Sequence, residues 1–129
     1  TIFGDGEQTR AFSYIDDCLE PFWKAATDSR ASKEIINLGG INEHSIIDAA
    51  NILIGVMGGG EIKHLEERHE VKHAWSTHQK SVEVLDYTET MNLEDGLIEM
   101  WEWAKEQPER VQQRFDTYEV DKGIYSFWK

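Results

Sequence analysis

The sequence predicts a mixed α/β domain, a small sheet of short strands packed with several helices. Three observations carry that expectation. Glu34-Ile35-Ile36-Asn37-Leu38 reads as a short strand stopped by Gly39-Gly40, with a helical pattern after it, so strand, turn and helix form one α/β unit. Ile46, Ala49, Ala50, Leu53 and Met57 then recur at the spacing of one helix face, as do Leu93, Leu97, Met100, Trp101 and Ala104 further on. A length of 129 residues, 40% hydrophobic and 11% aromatic, suits one folded core.

In chain order, Ile2 to Asp17 comes first. Gly4 and Gly6 sit beside Phe3, Gln8 and Arg10, and the apolar run Phe12 to Ile15 leads to the acidic pair Asp16-Asp17. This reads as a flexible turn delivering one cation, then a strand, then a helix start. Glycine lets backbone approach a ligand closely, and the guanidinium fork suits a phosphate better than lysine does. Spacing alone equally allows a glycine-rich hairpin with a surface arginine. Asp16 or Asp17 is expected to cap a helix to about Thr27, with Pro21 in its first turn and Phe22, Trp23, Ala25 and Ala26 on its apolar face.

Thr27 to Lys33 is polar and reads as a loop. Ser45-Ile46-Ile47-Asp48 is a capping-box variant opening the helix to Met57, and Gly58-Gly59-Gly60 stops it. Ile62 to Leu65 and Val71 to Trp75 are strand candidates around the polar stretch from Glu66 to Glu70. Ser76 or Thr77 is placed to cap a helix carrying Val82, Val84 and Leu85, and Asn92 to cap Leu93 to Gln107 before Pro108. Residues 109–129 form a tail whose end, Ile124-Tyr125-Ser126-Phe127-Trp128, is apolar enough to pack on the domain or a partner. The chain has no internal repeat and no low-complexity segment.

A formal net charge of −12 argues against nucleic acid or an anionic membrane as partner, since both select a positive face. No apolar run is long enough to cross a bilayer. The lone Cys18 cannot form an internal disulfide, which favours a reducing, cytoplasmic setting, and its acidic neighbours oppose a thiolate, so it reads as structural.

Phe3-Gly4-Asp5-Gly6, Gln8-Thr9-Arg10-Ala11-Phe12 and Tyr14-Ile15-Asp16-Asp17 together resemble a recurring segment of one family. It opens the C-terminal, substrate-binding part of extended short-chain dehydrogenase/reductases, the NAD-dependent nucleotide-sugar epimerases and dehydratases. Ala11 departs from the Asp common there. The resemblance runs along nearly the whole chain and covers only that family's second half. It implies the fold of the C-terminal lobe without the Rossmann lobe, and residues 1–129 as one nucleotide-sugar-binding domain. It also implies substrate contacts from Phe3 to the base and from Arg10 and Arg68 to the diphosphate, with Asn42, Gln8 and His69 alongside. Two separated arginines can share a diphosphate, and an amide at a helix start adds a neutral donor. Without the resemblance, Arg68 among Glu66, Glu67 and Glu70 reads as a solvated charge.

Two other patterns have competing readings. His69-Glu70-Val71-Lys72-His73 matches the zinc-peptidase spacing HExxH, which needs a helix, whereas Val71 to Trp75 alternates like a strand. Tyr118-Glu119-Val120-Asp121-Lys122 has the Tyr-x-x-x-Lys spacing of the superfamily's catalytic pair, but the family carries that pair on its cofactor domain. No glycine-rich dinucleotide fingerprint follows a strand, since Gly58-Gly59-Gly60 closes a helix where the fingerprint would open one. The expectation is therefore a chain with no catalytic residues or metal of its own. It binds no cofactor itself, because NAD belongs to the lobe absent from these residues. The expected partners are a nucleotide-sugar and either a separate cofactor-binding lobe or a second copy, as a homodimer with possible exchange of the Trp128 end. A purely self-associating assembly module is the competing class.

Overall fold

The computed structural model describes residues 1–109. The tail, including Tyr118 to Lys122 and the apolar end at Trp128, lies outside the described residues. The first pair of strands is parallel: β1 (Ile2–Phe3) runs beside β4 (His64–Leu65), pairing Ile2 with His64 and Phe3 with Leu65. The second sheet has β2 (Thr9–Ala11) at its centre. It is antiparallel to β3 (Glu43–Ser45), with Thr9 opposite Ser45, and parallel to β5 (His73–Ala74), with Thr9 opposite His73 and Arg10 opposite Ala74. Among the described residues four α-helices pack in two pairs: α1 (Ile15–Thr27) on α3 (Gln79–Leu85), and α2 (Ile46–Met57) on α4 (Leu93–Glu106). Among the described residues Ile2, Cys18, Leu85 and Tyr87 are buried hydrophobic side chains, and Ser81 is fully buried as well. The Tyr87 hydroxyl donates to the Gly39 carbonyl at 2.8 Å, and burial, helped by nearby acidic groups, pushes its pKa up to about 12. Burial first, and the charge of Asp17 second, push the Cys18 thiol up, which fits its structural reading.

α2 and α4 form where their caps place them. The Asp48 N–H donates to Ser45 Oγ at 3.1 Å, and the Asp95 N–H to Asn92 Oδ1 at 2.9 Å. Gly58, at φ 76°, supplies the left-handed residue that ends α2. The caps of α1 and α3 differ from expectation. Tyr14 is the N-cap of α1 and makes no side-chain cap bond. Asp17 faces another element instead, accepting the Thr90 and Met91 N–H groups at 3.1 and 3.0 Å and the Thr90 hydroxyl. Pro21 lies inside α1, not in its first turn, and forgoes a bond to the Asp17 carbonyl. α3 starts after His78, not after Ser76 or Thr77, and the Ser81 hydroxyl donates back to the His78 carbonyl at 2.7 Å.

Two expected strands are displaced. Pairing falls on Thr9–Ala11, ahead of Phe12 to Ile15, because the backbone of Gly40 closes on the Phe12 carbonyl and the Gly40 N–H donates to Ser13 Oγ at 2.7 Å. Glu34 to Leu38 has no regular secondary structure and belongs to no ladder among the described residues. Its amide and charge contacts, Asn37 to the Thr77 carbonyl and Lys80 to Glu34, lie at the start of α3.

Candidate functional site

β1 and β4 run parallel, as do β2 and β5, so the turn joining β1 to β2 lies beside the segment joining β4 to β5. Gly4 and Gly6, at φ 70° and 86°, make that turn possible, and a Cβ on Gly6 would sit 2.9 Å from Ile47 Cβ. A shallow cleft of about 70 Å³ opens between the two connections, lined by Phe3, Asp5 and Gln8 on one side and Glu67, Arg68, Glu70 and Lys72 on the other. A ligand of nucleotide size would lie along this cleft, not inside it.

Within it the Arg68 guanidinium sits 3.2 Å from the centre of the Phe3 ring, a cation–π contact that orients the cation across the cleft. Glu70 is the second organiser. It accepts from Arg10 Nη2 at 2.9 Å and from Gln8 Nε2 at 3.3 Å. Gln8 Nε2 also donates to the Phe3 carbonyl at 3.1 Å, and Arg10 Nη1 to the Thr9 carbonyl at 2.6 Å. Strand β2 thus carries Arg10 to the edge of the cleft, and Glu70 holds its charge there. The lining mixes cations with the carboxylates of Asp5, Glu67 and Glu70, so an incoming anion competes with charges already present.

Of the six residues that the resemblance implies, Phe3, Gln8 and Arg68 line this one cleft, and Arg10 joins it through Glu70. Asn42 and His69 are not among the lining residues. Asn42 Nδ2 donates to Glu89 Oε2 at 2.8 Å, and the Ile41 N–H donates to Glu89 Oε1 at 3.3 Å. Residues Glu43–Ser45 pair as β3 and delay α2 to Ile46, so Asn42 does not stand at a helix start. His69 is exposed in a bend. Glu70 and Lys72 enter the sequence reading only within the HExxH spacing and as neighbours of Arg68, not as residues of a ligand site. The signal was there in the alternating charges of Glu67, Arg68, Glu70 and Lys72, but only the parallel register of β2 and β5 shows which cation Glu70 meets.

The HExxH spacing does not form a helical zinc site. His69 to Lys72 is non-helical, His73 lies in β5 with its Nδ1 3.0 Å from Thr9 Oγ1, and no cluster of metal-ligating side chains occurs among the described residues. The glycine cluster Gly58 to Gly60 sits at the carbonyl end of α2, where Gly58 and Gly59 donate back to Gly55 and Ile54. A pyrophosphate needs the opposite, amide-bearing helix end, so these glycines do not fit the dinucleotide turn of an NAD site.

No protein-family model matches the chain. Individual proteins do. It is 34% identical over 114 residues to the UDP-glucuronate 4-epimerase of Thermodesulfobacterium geofontis, covering 85% of this chain and 34% of that enzyme. Its fold matches the crystal structure of UDP-glucuronic acid 4-epimerase from Bacillus cereus in complex with UDP-glucuronic acid and NAD, with a TM-score of 0.73 and 36% identity over 81% of this chain and 34% of that one. It also matches the UDP-glucose 4-epimerase of Thermotoga maritima with UDP-glucose, with a TM-score of 0.75 and 25% identity over the same shares. The mixed α/β architecture expected from the sequence is the architecture of these neighbours. The chain therefore belongs with the extended short-chain dehydrogenase/reductases, matching one part of relatives that are nucleotide-sugar epimerases, and spans about a third of their length.

Proposed function

We propose that this chain is the nucleotide-sugar-binding part of an NAD-dependent epimerase or dehydratase and does not turn substrate over by itself. The observation that carries the reading is the gathering of Phe3, Gln8 and Arg68 around one cleft, with Arg10 held at its edge by Glu70. Arg68 and Arg10 supply charge-assisted donors to a diphosphate, Gln8 adds a neutral donor, and Phe3 offers an aromatic wall to the base. Hydride exchange belongs to NAD, and these residues do not form its phosphate turn, so the chemical step requires residues outside them. The relatives named above bind UDP-sugars, which makes a UDP-sugar the first ligand to test. The chain is read as working in the cytoplasm.

The test is calorimetric titration of the chain with UDP-glucuronic acid and UDP-glucose. Binding is expected, and Arg68→Ala should weaken it about 10- to 100-fold, the range for losing a charge-assisted bond of about 1.5–3 kcal/mol. Heat-silent titrations, or an Arg68→Ala chain that binds as well as the parent, would overturn the reading. Adding NAD to the mixture should give no epimer; conversion at enzymatic rates sinks the non-catalytic part. Self-association is favoured by one observation of its own: Met100 and Trp103 on α4 are more than half exposed. Light scattering that finds a monomer over a wide concentration range removes it.

A further inference from the structure

The shallow cleft holds more charge than the two arginines assigned to it. Its carboxylates are Asp5, Glu67 and Glu70, and its cations are Arg68 and Lys72, with Arg10 at the edge. Both arginines are already engaged. Arg10 donates to Glu70 at 2.9 Å and to the Thr9 carbonyl at 2.6 Å, and the Arg68 guanidinium sits 3.2 Å from the centre of the Phe3 ring. Lys72 differs. Its backbone is pinned, because its carbonyl accepts the Thr9 N–H at 2.8 Å and Arg10 Nη1 at 3.5 Å. Its side chain is exposed along the cleft, and its ammonium makes no hydrogen bond or ion pair among the described residues. The carboxylate two residues back, Glu70, spends one oxygen on Arg10 and the other on Gln8.

We propose that Lys72 is a third cation of the nucleotide-sugar site and takes a phosphate of the diphosphate directly. The inference rests on the nucleotide-sugar reading and adds a residue that the resemblance does not imply. A diphosphate brings at least two charges, and Glu70 neutralises one of the arginines until it is displaced. Lys72 has no ion pair to break when a phosphate arrives, so its charge is available from the start. An ammonium on a four-carbon stem is a point charge with three rotatable donors, which can follow an oxyanion that no planar fork fixes. Reach is sufficient. Arg68 and Lys72 line the same wall, and four residues of chain put their Cα atoms at most about 14 Å apart, a gap that two long side chains close to the width of a diphosphate. A uronate would bring a second kind of oxyanion, the sugar carboxylate. The phosphate is favoured because the two diphosphate arginines flank Lys72, with Arg10 Nη1 against its carbonyl and Arg68 on its wall.

The test is calorimetric titration of Lys72→Met and Lys72→Arg chains with UDP-glucose and UDP-glucuronic acid. Methionine keeps most of the stem and removes the charge, and the Thr9 bond to the carbonyl is untouched. Because the side chain is exposed, both variants should melt within about 2 °C of the parent. Lys72→Met should weaken both ligands about 3- to 10-fold at low salt and less at high salt, while Lys72→Arg stays within about twofold of the parent. The same loss should appear in a Glu70→Gln background, where a role played through Glu70 leaves none. A Kd unchanged by Lys72→Met overturns the proposal, as does a loss confined to UDP-glucuronic acid, which places Lys72 at the sugar. A loss that disappears in the Glu70→Gln background overturns it too, since Lys72 then acts only on its neighbour. Inorganic pyrophosphate separates this inference from the reading beneath it. If pyrophosphate binds and Lys72→Met weakens it while both nucleotide-sugars stay silent, the phosphate contact stands and the nucleotide-sugar reading falls. If the nucleotide-sugars bind and Arg68→Ala weakens them but Lys72→Met does not, that reading stands and the role of Lys72 falls.

Discussion

Glu70→Gln should tighten the binding of a nucleotide-sugar, although it removes one of the best-formed contacts in the cleft. Glu70 holds Arg10 at 2.9 Å, and the two side chains are 37% and 26% exposed. A screened pair of this kind contributes about 0.2–1 kcal/mol, which a diphosphate must displace to reach the guanidinium. The carboxylate also repels the ligand. At roughly 6 Å in a water-like medium, each pair of unit charges costs about 0.7 kcal/mol, and two phosphate charges about twice that, less screening by salt. The two effects together come to about 1–2 kcal/mol, or about 5- to 30-fold in Kd. Glutamine keeps an oxygen to accept from Gln8 and leaves that arm of the site in place. Isothermal titration with UDP-glucuronic acid at low and high salt is the assay, and the gain should shrink as salt rises. In an Arg10→Ala background only the repulsion part of the gain, about 0.7–1.4 kcal/mol or roughly 3- to 10-fold at low salt, should remain. Unchanged or weaker binding in a folded Glu70→Gln chain refutes the argument, because Arg10 would then not be a ligand arm held in reserve.

Three further outcomes follow from the same coordinates. Burial pushes the Asp17 carboxyl up, but hydrogen bonds from the Thr90 hydroxyl and the Met91 and Thr90 amides outweigh it, so the group titrates below its ordinary range. Its stabilisation is then present above the unfolded value of about 3.9 and lost as pH falls through the lower folded value; Asp17→Asn should flatten Tm against pH in that acidic window. A Cβ on Gly40 would sit 2.0 Å from the Phe12 carbonyl oxygen, so Gly40→Ala should cost about 3 kcal/mol or more by chemical denaturation. Because a shallow cleft leaves much of a nucleotide-sugar in water, the chain alone should bind UDP-glucuronic acid with a Kd on the order of 0.1–1 mM by titration.

The parts of the fold that could be read from the sequence are those whose causes are local. Ser45 with Asp48, Asn92 with Asp95 and the glycine after Met57 each settle a helix end within four residues of chain, and α2 and α4 lie where those signals put them. α1 and α3 obey a different logic. Asp17 is as good an N-cap as Ser45 by residue type, but Thr90 and Met91 compete for its oxygens from 73 and 74 residues away and win. No window around Asp17 contains that information. The run Glu34 to Leu38 is the sharper case: its β-branched residues favour a strand, yet a strand is a relation between two segments, and among the described residues none pairs with it.

The site divides in the same way. Family resemblance pointed at Phe3, Gln8, Arg10 and Arg68, and nothing in their spacing brings residues 3–10 to residue 68. What brings them together is a pair of parallel alignments, β1 with β4 and β2 with β5, which carry the two connections past each other. Parallel pairing requires a long crossover, and here α1, β3 and α2 fill it, so the cleft depends on most of the domain. That dependence explains why Asn42 parts company with the rest. It sits inside the crossover, where β3 pairs antiparallel to β2 and Glu89 takes its amide. For Asn42 to reach the same ligand, Glu89 would have to release it, and the cost of that exchange sets how much a bound nucleotide-sugar can gain from this side of the sheet.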